Sequence, residues 1–592
     1  MADIAARPTT LRQTFRKFLV LSSLRGVGRI LKARNSFLSV LWAVTVLSFL
    51  SVSLFQVITL IQNYFKYVTI KEQTIITKDS VPFPSLTLCN LQPFRPEAKK
   101  LSAKLDMITI DEFLNIMAIM PDFVADKSLA AYFANVLSTN VGYFENQERE
   151  SIIKLGHDAK TFVERCQAKI LINDSVRLQD CSDHLRLFVD PQYLNCYTVE
   201  HEGRGKVVEL ELTIFLDDYI VLNYSPLYAN DINSQMHGMK MVIHEPKTYP
   251  DIESSRNAWD LQPGASYKFV LRTSIWRRKG PPYGRCADRD RTAAVITLED
   301  NSTYNYDSGT CKALCIQEKI LKHCGCKDSR LPFTTEQKLK YENVDYCSSL
   351  KNGDSTKIAN LISCMDGTKL TSGGKVCTAD CLEPCLQYDF QLYSTMSRWP
   401  HASFQLPLFQ RRSSQMEKDA RDKGEADSTD NYSIGVEGGS GGTGSGDENG
   451  EFAYKYTDRI SPLDSHYEKI NTIVQNAIAN DSEEAKMEEA RKMLLTSDLM
   501  QRNFIKIKVV RPSHDVMYVE EVPELGISSF LSGIGGAMNF WMGITLVVVM
   551  ELVELVFDLF DLAFGEKNGK KRKAAHNNCD AEDKNSNEAV RV

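Results

Sequence analysis

Two long apolar stretches lie near opposite ends of the chain. Residues 37–61 contain no charged side chain. As a helix rising about 1.5 Å per residue they would be roughly 37 Å long, more than the roughly 30 Å hydrocarbon core of a bilayer. Residues 525–564 are also long enough to cross a bilayer, although polar side chains interrupt them. The pattern therefore predicts transmembrane helices at 37–62 and 525–562.

The polar positions of the second stretch follow a helical period. Spacings of four, seven and eleven residues separate Ser532, Asn539, Gly543 and Glu554. On a continuous helix these positions share one face, and Glu551 and Asp558 add two carboxylates beside it. Polar groups at membrane depth usually face a water-filled path, so this face predicts the lining of a cation pore. Close helix packing through the small residues, with the carboxylates in interfacial water, is the competing interpretation.

Basic residues flank the outer ends of both spans. Before the first span the chain carries one acidic residue, Asp3, and eight basic residues: Arg7, Arg12, Arg16, Lys17, Arg25, Arg29, Lys32 and Arg34. After the second span follow Lys567, Lys570, Lys571, Arg572 and Lys573. Because cytoplasmic flanks carry the positive excess, the termini, residues 1–36 and 563–592, are expected in the cytoplasm and residues 63–524 outside the cell.

The segment between the spans has two features of an extracellular domain. It contains 14 of the 15 cysteines, an even number, and only Cys579 lies beyond it. Such a distribution is typical of disulfides formed in an oxidising compartment. All five Asn-x-Ser/Thr glycosylation sites also lie in this segment: Asn173, Asn223, Asn301, Asn431 and Asn480. Together these features indicate a glycoprotein of the plasma membrane.

Five of the cysteines have helical spacing. They are four residues apart within two groups, Cys311 and Cys315, then Cys377, Cys381 and Cys385. If the two helices are antiparallel, the order inverts and the predicted bridges are Cys311–Cys381, Cys315–Cys377 and Cys286–Cys385. The loop between these helices would be closed by Cys324, Cys326, Cys347 and Cys364. Zinc ligation is the alternative, but the oxidising compartment favours disulfides.

The rest of the extracellular sequence predicts an α+β domain. β-branched and aromatic residues favour strands at 207–215 and 267–271, whereas residues 106–132 and 481–499 are typical of helices. Residues 405–460 are polar and then rich in Gly and Ser, which predicts a flexible surface insertion. The dibasic pair at 411–412 would be solvated within it.

The composition and motifs argue against two other classes of function. A net charge of −6 without a basic stripe interleaved with aromatics does not indicate nucleic-acid binding. The sequence has no Gly-rich phosphate loop, His-Glu-x-x-His or Gly-x-Ser-x-Gly motif, so neither an enzyme nor a metal or cofactor site is predicted.

Six short motifs carry a family resemblance. They are Phe83-Pro84-Ser85-Leu86-Thr87-Leu88-Cys89-Asn90, Gly156-His157 with Phe162 and Cys166, Asn195-Cys196-Tyr197-Thr198, Pro282-Tyr283-Gly284-Arg285-Cys286, Cys381-Leu382-Glu383-Pro384-Cys385 with Trp399-Pro400, and Gly543-Ile544-Thr545. Together they resemble the degenerin/epithelial sodium channel family over both spans and most of the ectodomain. Leu194 stands where that family has glycine.

The resemblance implies two transmembrane helices and a disulfide-rich extracellular domain of the palm, finger, thumb and knuckle type, with the thumb at about 286–400. It implies a homotrimer, or an assembly with related subunits, whose second spans surround a sodium-selective pore that amiloride blocks. It also implies four further disulfides: Cys89–Cys196, Cys166–Cys181, Cys324–Cys364 and Cys326–Cys347.

The resemblance also assigns roles to the pore positions. Gly543, Ile544 and Thr545 would form the selectivity belt, and Asn539 would contact amiloride. Ser532 would be the position where bulky substitutions hold the pore open. Because Thr545 adds a methyl group to the family's serine and Ile544 is bulky beside it, cation conduction is a firmer expectation than strict preference for sodium over potassium.

The trigger is predicted from weaker signals. Proton-gated relatives carry a histidine soon after the first span, and residues 63–81 contain none. Residues 224–252 and the long loop after Trp399-Pro400 resemble the invertebrate FMRFamide-gated channels. The expected ligand is therefore an extracellular amidated neuropeptide, whose binding residues the sequence does not identify. Proton gating, constitutive opening and a non-conducting two-span receptor are the alternatives. The family's gating motif His-Gly reads Arg25-Gly26 here, so this coupling is expected to differ.

Overall fold

The chain forms two compact units. The terminal unit comprises residues 1–72, 281–284 and 521–592, and the central unit comprises residues 73–280 and 285–520. The computed structural model describes residues 14–15, 18–19, 26–77, 81–105, 107–124, 126–172, 175–200, 206–217, 236–252, 257–287, 296–341, 343–372, 376–427, 461–479, 484–545 and 547–560.

Helices and strands alternate in blocks along the described chain. The α-helices are α1 Val27–Lys32, α2 Ser36–Tyr64, α3 Ala98–Lys104, α4 Ile110–Ile119, α5 Lys127–Leu137, α6 Asn140–Glu145, α7 Arg149–Leu155, α8 Ala159–Phe162, α9 Ser308–Cys324, α10 Thr335–Lys340, α11 Ser355–Ser372, α12 Val376–Asp380, α13 Ala402–Asp427, α14 Pro462–Ala479, α15 Glu484–Thr496, α16 Leu499–Asn503, α17 Ile527–Met542 and α18 Val547–Phe560. The strands are β1 Thr69–Thr77, β2 Ser85–Asn90, β3 Val163–Ile172, β4 Ser175–Asp180, β5 Leu185–Asp190, β6 Leu194–Val199, β7 Lys206–Phe215, β8 Met239–His244, β9 Ala258–Leu261, β10 Ala265–Arg277, β11 Ile296–Thr297, β12 Thr303–Tyr304, β13 Leu386–Arg398, β14 Phe504–Val510 and β15 Asp515–Pro523. The mixed α+β class agrees with the sequence prediction, and both predicted strands lie within β7 and β10.

Two sheets form the centre of the central unit. The larger has eight strands in the order β1-β15-β10-β14-β7-β3-β4, with β13 paired to β10. The smaller has five strands in the order β5-β6-β2-β8-β9. Leu86 and Leu88 of the smaller sheet share one buried cluster with Leu212, Phe269 and Ile507 of the larger sheet. Because side chains alternate across a strand, the two sheets pack their apolar faces against each other.

A helical cluster lies beside the sheets. It buries Phe113 of α4, Tyr143 of α6, Ile320 of α9 and Ile358 of α11. The predicted helix at 106–132 is divided into α4 and α5 by a 3₁₀ turn at Met120–Phe123. A Thr-x-x-Glu capping box starts α4, which satisfies amide groups that have no partner within the helix.

A third cluster corrects one sequence prediction. Leu408 and Phe409 of α13 are buried with Tyr467 of α14 and with Phe504. The segment 405–427 therefore belongs to a helix whose start is anchored in the core through Leu408 and Phe409. The prediction of a flexible insertion starting at 405 was wrong for this part. Its remaining part, 428–460, lies outside the described residues. Polar composition was misleading because about three or four apolar side chains per two turns suffice to hold a helix whose other positions are solvated.

Arg412 supplies part of that anchor. Its side chain is only 4% exposed, and its Nη1 lies 3.2 Å from Glu164 Oε2. The guanidinium carbon lies 3.8 Å from the centre of the Phe215 ring. The prediction that the dibasic pair is solvated therefore fails for Arg412, whereas the adjacent Arg411 is exposed.

The terminal unit contains the apolar helices. Among the described residues, α2 is the one helix that is long and apolar enough to cross a bilayer by itself. The helices α17 and α18 meet this criterion only as a pair, and their axes differ by 79°.

Candidate pore-lining site

One face of α17 packs against α2. The rings of Tyr64 and Phe530 stack with their centroids 4.2 Å apart. Eleven residues further along α17, the indole Nε1 of Trp541 donates a hydrogen bond to Gln56 Oε1 at 2.9 Å. The eleven-residue interval corresponds to about three helical turns. The two contacts therefore fix the same face of α17 toward α2 along most of its length.

A glycine lets the two helices approach closely between these contacts. A Cβ added at Gly533 would lie 2.8 Å from Leu60 Cδ2 and 3.6 Å from its Cδ1. Small residues at such crossings are common between membrane helices because dispersion contacts hold the helices together there. Gly533 is therefore a packing glycine and not part of the polar stripe.

The polar stripe lies on another face, which the described part of the chain leaves exposed. Ser532 and Asn539 are both exposed. Gly535 and Gly536 lie between them on the same side of the helix, and a Cβ at either glycine would meet no atom within 4 Å. The polar face predicted for residues 532–539 is thus exposed at Ser532 and Asn539 and unobstructed at the two glycines.

The helix ends at the predicted selectivity residues. Gly543 has φ +68°, in the left-handed region that favours glycine, and its amide donates to Asn539 O at 2.9 Å. The Ile544 amide donates to Met538 O at 3.3 Å. A helix end leaves carbonyl groups without helical partners and carries partial negative charge. This break therefore offers oxygen ligands and a potential that attracts cations.

The carboxylates follow on a separate helix. Glu551, Glu554 and Asp558 all belong to α18, where their spacing of three and four residues keeps them on one side. Because α17 and α18 are bent by 79°, a single straight face from Ser532 to Glu554 does not form, and that part of the prediction was wrong. The left-handed turn at Gly543 is the physical reason, and helical spacing alone could not indicate it.

Near the first span, Gly26 occupies a strained position of the predicted gating motif. Its φ is +87°, and an added Cβ would lie 2.8 Å from Val46 Cγ2 of α2. The Arg29 guanidinium lies 5.6 Å from the Trp42 ring centre. The short helix α1 therefore packs back on α2. Arg25 lies outside the described residues, so the structure does not show what replaces the family's histidine.

Seven disulfides brace the central unit. They are Cys89–Cys196, Cys166–Cys181, Cys286–Cys385, Cys311–Cys381, Cys315–Cys377, Cys324–Cys364 and Cys326–Cys347. These are the same pairs as those predicted from helical spacing and from the resemblance. The helix α12 ends one residue before Cys381, so the second helix of the ladder is shorter than its three cysteines suggested. Gly325, with φ +70°, ends α9 between two bridged cysteines.

One glycosylation candidate lies within the described residues. Asn301 is exposed and has φ +62°, in the turn between β11 and β12. The other four, Asn173, Asn223, Asn431 and Asn480, lie outside the described residues.

Sequence reasoning missed a group of buried charges in the central unit. Glu145, at the end of α6, is buried and accepts a hydrogen bond from the Ser329 hydroxyl. Burial raises the pKa of Glu145 to about 7. The neighbouring Asp328 is 1% exposed and pairs with Lys369. Although burial opposes its charge, Lys369 and Arg330 hold the pKa of Asp328 below its usual value. No sequence signal could have joined positions 184 residues apart.

Comparison with known proteins places these features in a family. The family model described as amiloride-sensitive sodium channel matches residues 18–437 and 452–555, which include α2, α17 and all of the central unit except 438–451. The chain therefore belongs to the amiloride-sensitive sodium channel family. This is a family of membrane ion channels, in agreement with the prediction that the protein is not an enzyme.

Individual relatives support the same assignment. The FMRFamide-activated amiloride-sensitive sodium channel of Cornu aspersum is 23% identical over 586 residues, which cover 93% of this chain and 84% of the relative. Degenerin unc-8 of Caenorhabditis elegans is 26% identical over 267 residues, covering 44% of this chain and 30% of the relative. The human epithelial sodium channel subunit alpha is 25% identical over 242 residues, covering 38% and 32%. The similarity to the snail channel thus extends over most of both proteins.

Proposed function

We propose that this protein is a sodium-selective channel, blocked by amiloride, that an extracellular amidated neuropeptide opens. Family membership supports the channel activity, and the similarity to a relative named FMRFamide-activated over 93% of this chain supports the class of ligand. Opening is a population shift, in which the peptide binds the open arrangement more tightly than the closed one. Its differential affinity limits how far the channel opens.

The open polar face of α17 is the observation that carries the proposal. Since α2 covers the opposite face, other subunits are the natural cover for Ser532 and Asn539. Gly535 and Gly536 add no side chain that would keep neighbouring helices apart. Three copies, or this chain with related subunits, place these faces around a common axis. Asn539 then faces the water path, where it contacts amiloride, and substitution of Ser532 by a bulky residue holds the path open.

The break after α17 forms the narrow part of the path. Gly543, Ile544 and Thr545 present backbone oxygens and a hydroxyl where the helix ends, and partial negative charge there favours a cation that has lost part of its water. Glu551, Glu554 and Asp558 line the cytoplasmic exit and raise the local concentration of sodium, the permeant ion.

The proposed topology places the central unit outside the cell. The helix α2 and the bent pair α17–α18 cross the plasma membrane as two spans, and both termini lie in the cytoplasm. The sheets form the palm, and α9 to α12 form the thumb with its disulfide ladder. Each bridge stabilises the fold by roughly 2–4 kcal/mol, so the thumb transmits displacement as a stiff element. The five Asn-x-Ser/Thr sites carry glycans, and the gating motif 25–26 acts from inside.

Expression in oocytes tests the function directly. We expect inward sodium current when FMRFamide or related amidated peptides are applied, and loss of that current in amiloride. Current at low pH without peptide would show that protons, and not peptides, open the channel. Steady amiloride-sensitive current without any stimulus would indicate a constitutively open channel. Surface-labelled protein that passes no current under any of these conditions would instead identify a non-conducting receptor.

Cysteine accessibility tests the pore face with a matched pair. Asn539 and Phe540 are adjacent and both exposed, but only Asn539 belongs to the polar face. A charged thiol reagent applied outside is expected to reduce current through Asn539→Cys channels and to leave Phe540→Cys channels unchanged. Equal effects on both variants would show that the polar face of α17 does not line the pore.

A further inference from the structure

A small cavity lies in the central unit between four elements. It is bounded by the start of α7, by β5, by the β11–β12 hairpin and by the loop 327–333, and its volume is about 60 Å³. Phe188, Tyr249, Tyr304 and Phe333 supply aromatic walls. The volume is roughly that of two waters, so the cavity fits one side-chain head group and not a whole peptide.

The walls of this cavity already bind cations of the chain itself. Lys327 Nζ lies 3.2 Å from Glu299 Oε2 and is 13% exposed. The same ammonium lies 4.6 Å from the Phe333 ring centre and 4.8 Å from that of Tyr346. A carboxylate combined with aromatic faces is an arrangement suited to cationic groups. The chemistry of these walls therefore suits a cationic group that displaces one of the chain's own cations.

Arg149 is the replaceable cation at the mouth. Its Nη2 lies 2.7 Å from Asp300 Oδ2, and its Nη1 lies 3.8 Å from Glu299 Oε1. The side chains of Arg149 and Asp300 are 37% and 36% exposed, and exposed ion pairs of this kind are weak. Another guanidinium arriving from solvent can take the place of Arg149 at little cost.

The carboxylate that would receive such a group is held in position. Asp300 Oδ1 accepts hydrogen bonds from the Ser302 amide at 3.0 Å and from its hydroxyl at 2.5 Å. Its other oxygen, Oδ2, is thereby directed at the Arg149 guanidinium. Asp300 thus offers a fixed, charged acceptor that does not need to be organised when a ligand binds.

We propose that this cavity receives the arginine side chain of the activating peptide, whose guanidinium replaces that of Arg149 at Asp300 and Glu299. The proposal rests on peptide gating as argued above and identifies where the peptide docks. Because Arg149 joins α7 to the β11–β12 hairpin, its displacement separates these elements, and this movement is the first step of gating.

A thermodynamic cycle between channel and peptide tests the proposal. The channel variants are Asp300→Asn, which keeps the shape and the Ser302 acceptor, Arg149→Gln, which removes the internal competitor, and Asp122→Asn as an exposed control. The peptides are FMRFamide and an analogue with neutral citrulline in place of arginine. Surface labelling confirms that each variant folds and reaches the membrane.

The expected pattern is specific. Asp300→Asn raises the half-activating concentration of FMRFamide about tenfold, since a charge-assisted bond is lost, while Arg149→Gln lowers it several-fold. The citrulline peptide is weaker on the wild-type channel but loses no further potency on Asp300→Asn. Asp122→Asn behaves like wild type. A wild-type channel that responds to peptide, with Asp300→Asn and the citrulline substitution lowering potency independently of each other, would support peptide gating but refute this docking site.

A binding measurement covers the case in which no current is evoked. Fluorescently labelled FMRFamide is titrated onto purified wild-type and Asp300→Asn protein. Binding that weakens about tenfold in the variant supports the site even without current. No binding to the wild-type protein would refute both the docking site and the peptide ligand.

Discussion

Glu145 makes the stability of the central unit depend on pH in a direction that can be calculated. Burial raises the pKa of its carboxyl to about 7, from an ordinary value of 4.5. Below pH 4.5 the group is protonated in both the folded and the unfolded chain and costs nothing. Between pH 4.5 and 7 the carboxyl is ionised in the unfolded chain but still protonated in the folded chain. The free energy of unfolding therefore falls as the pH rises to 7. The full loss is about 3 kcal/mol.

Replacing Glu145 by Gln removes this dependence. The amide keeps an acceptor for the Ser329 hydroxyl and does not ionise. The charged groups that face this position, Asp328, Arg330 and Lys369, are left in place. We expect Glu145→Gln to match the wild-type protein near pH 4 and to be more stable at pH 8 by up to about 3 kcal/mol.

Hydrogen exchange read by mass spectrometry measures the effect locally. Peptides covering 140–155 and 326–333 report local unfolding on the two sides of the contact between Glu145 and Ser329. At pH 8 their exchange in Glu145→Gln should be slower than in the wild-type protein by roughly a hundredfold, because 1.4 kcal/mol corresponds to a factor of ten. The exposed Glu150→Gln is the control and should change little. Equal pH dependence in Glu145→Gln and wild type would show that the carboxyl is not held as described.

Three further predictions concern stability, helix packing and modification. Arg412→Ala should lower the free energy of unfolding by about 3 kcal/mol, because a buried carboxylate loses its partner. Arg411→Ala should leave the melting temperature unchanged, and similar melting temperatures of the two variants would contradict the buried pair. Gly533→Ala should lower the melting temperature because its Cβ meets Leu60 of α2, and an unchanged melting temperature would exclude the observed pairing face. Asn301→Gln should migrate faster on a gel, by the amount that enzymatic deglycosylation removes from this site, and an unchanged migration would show that the site carries no glycan.

Local patterns predicted the parts of the molecule that local physics determines. The cysteine pairs Cys311–Cys381 and Cys315–Cys377 follow from helical spacing and an antiparallel arrangement. The apolar helix α2 follows from hydropathy, since a helix of that length without charged residues is suited to the hydrocarbon core of a membrane. The mixed α+β class follows from the alternation of β-branched runs with helical segments.

The remaining features depend on contacts or conformations that a single sequence does not encode visibly. The bend after α17 depends on the left-handed φ of Gly543, and the same glycine is compatible with a straight membrane helix. The helix at 402–427 looks solvated from its sequence because its anchor, which includes Leu408, Phe409 and Arg412, lies near its start. The distinction between Gly533, which packs on α2, and Gly535, which is open, requires the neighbouring helix.

The position of β14 within the large sheet has a consequence for biosynthesis. This strand lies between β7 and β10, pairing antiparallel with the first and parallel with the second, yet it is translated more than 200 residues after either of them. A nascent chain that has not reached residue 510 therefore leaves the facing edges of β7 and β10 unpaired, and such edges are prone to wrong partners. The large sheet can therefore be completed only after the chain has been translated as far as residue 510.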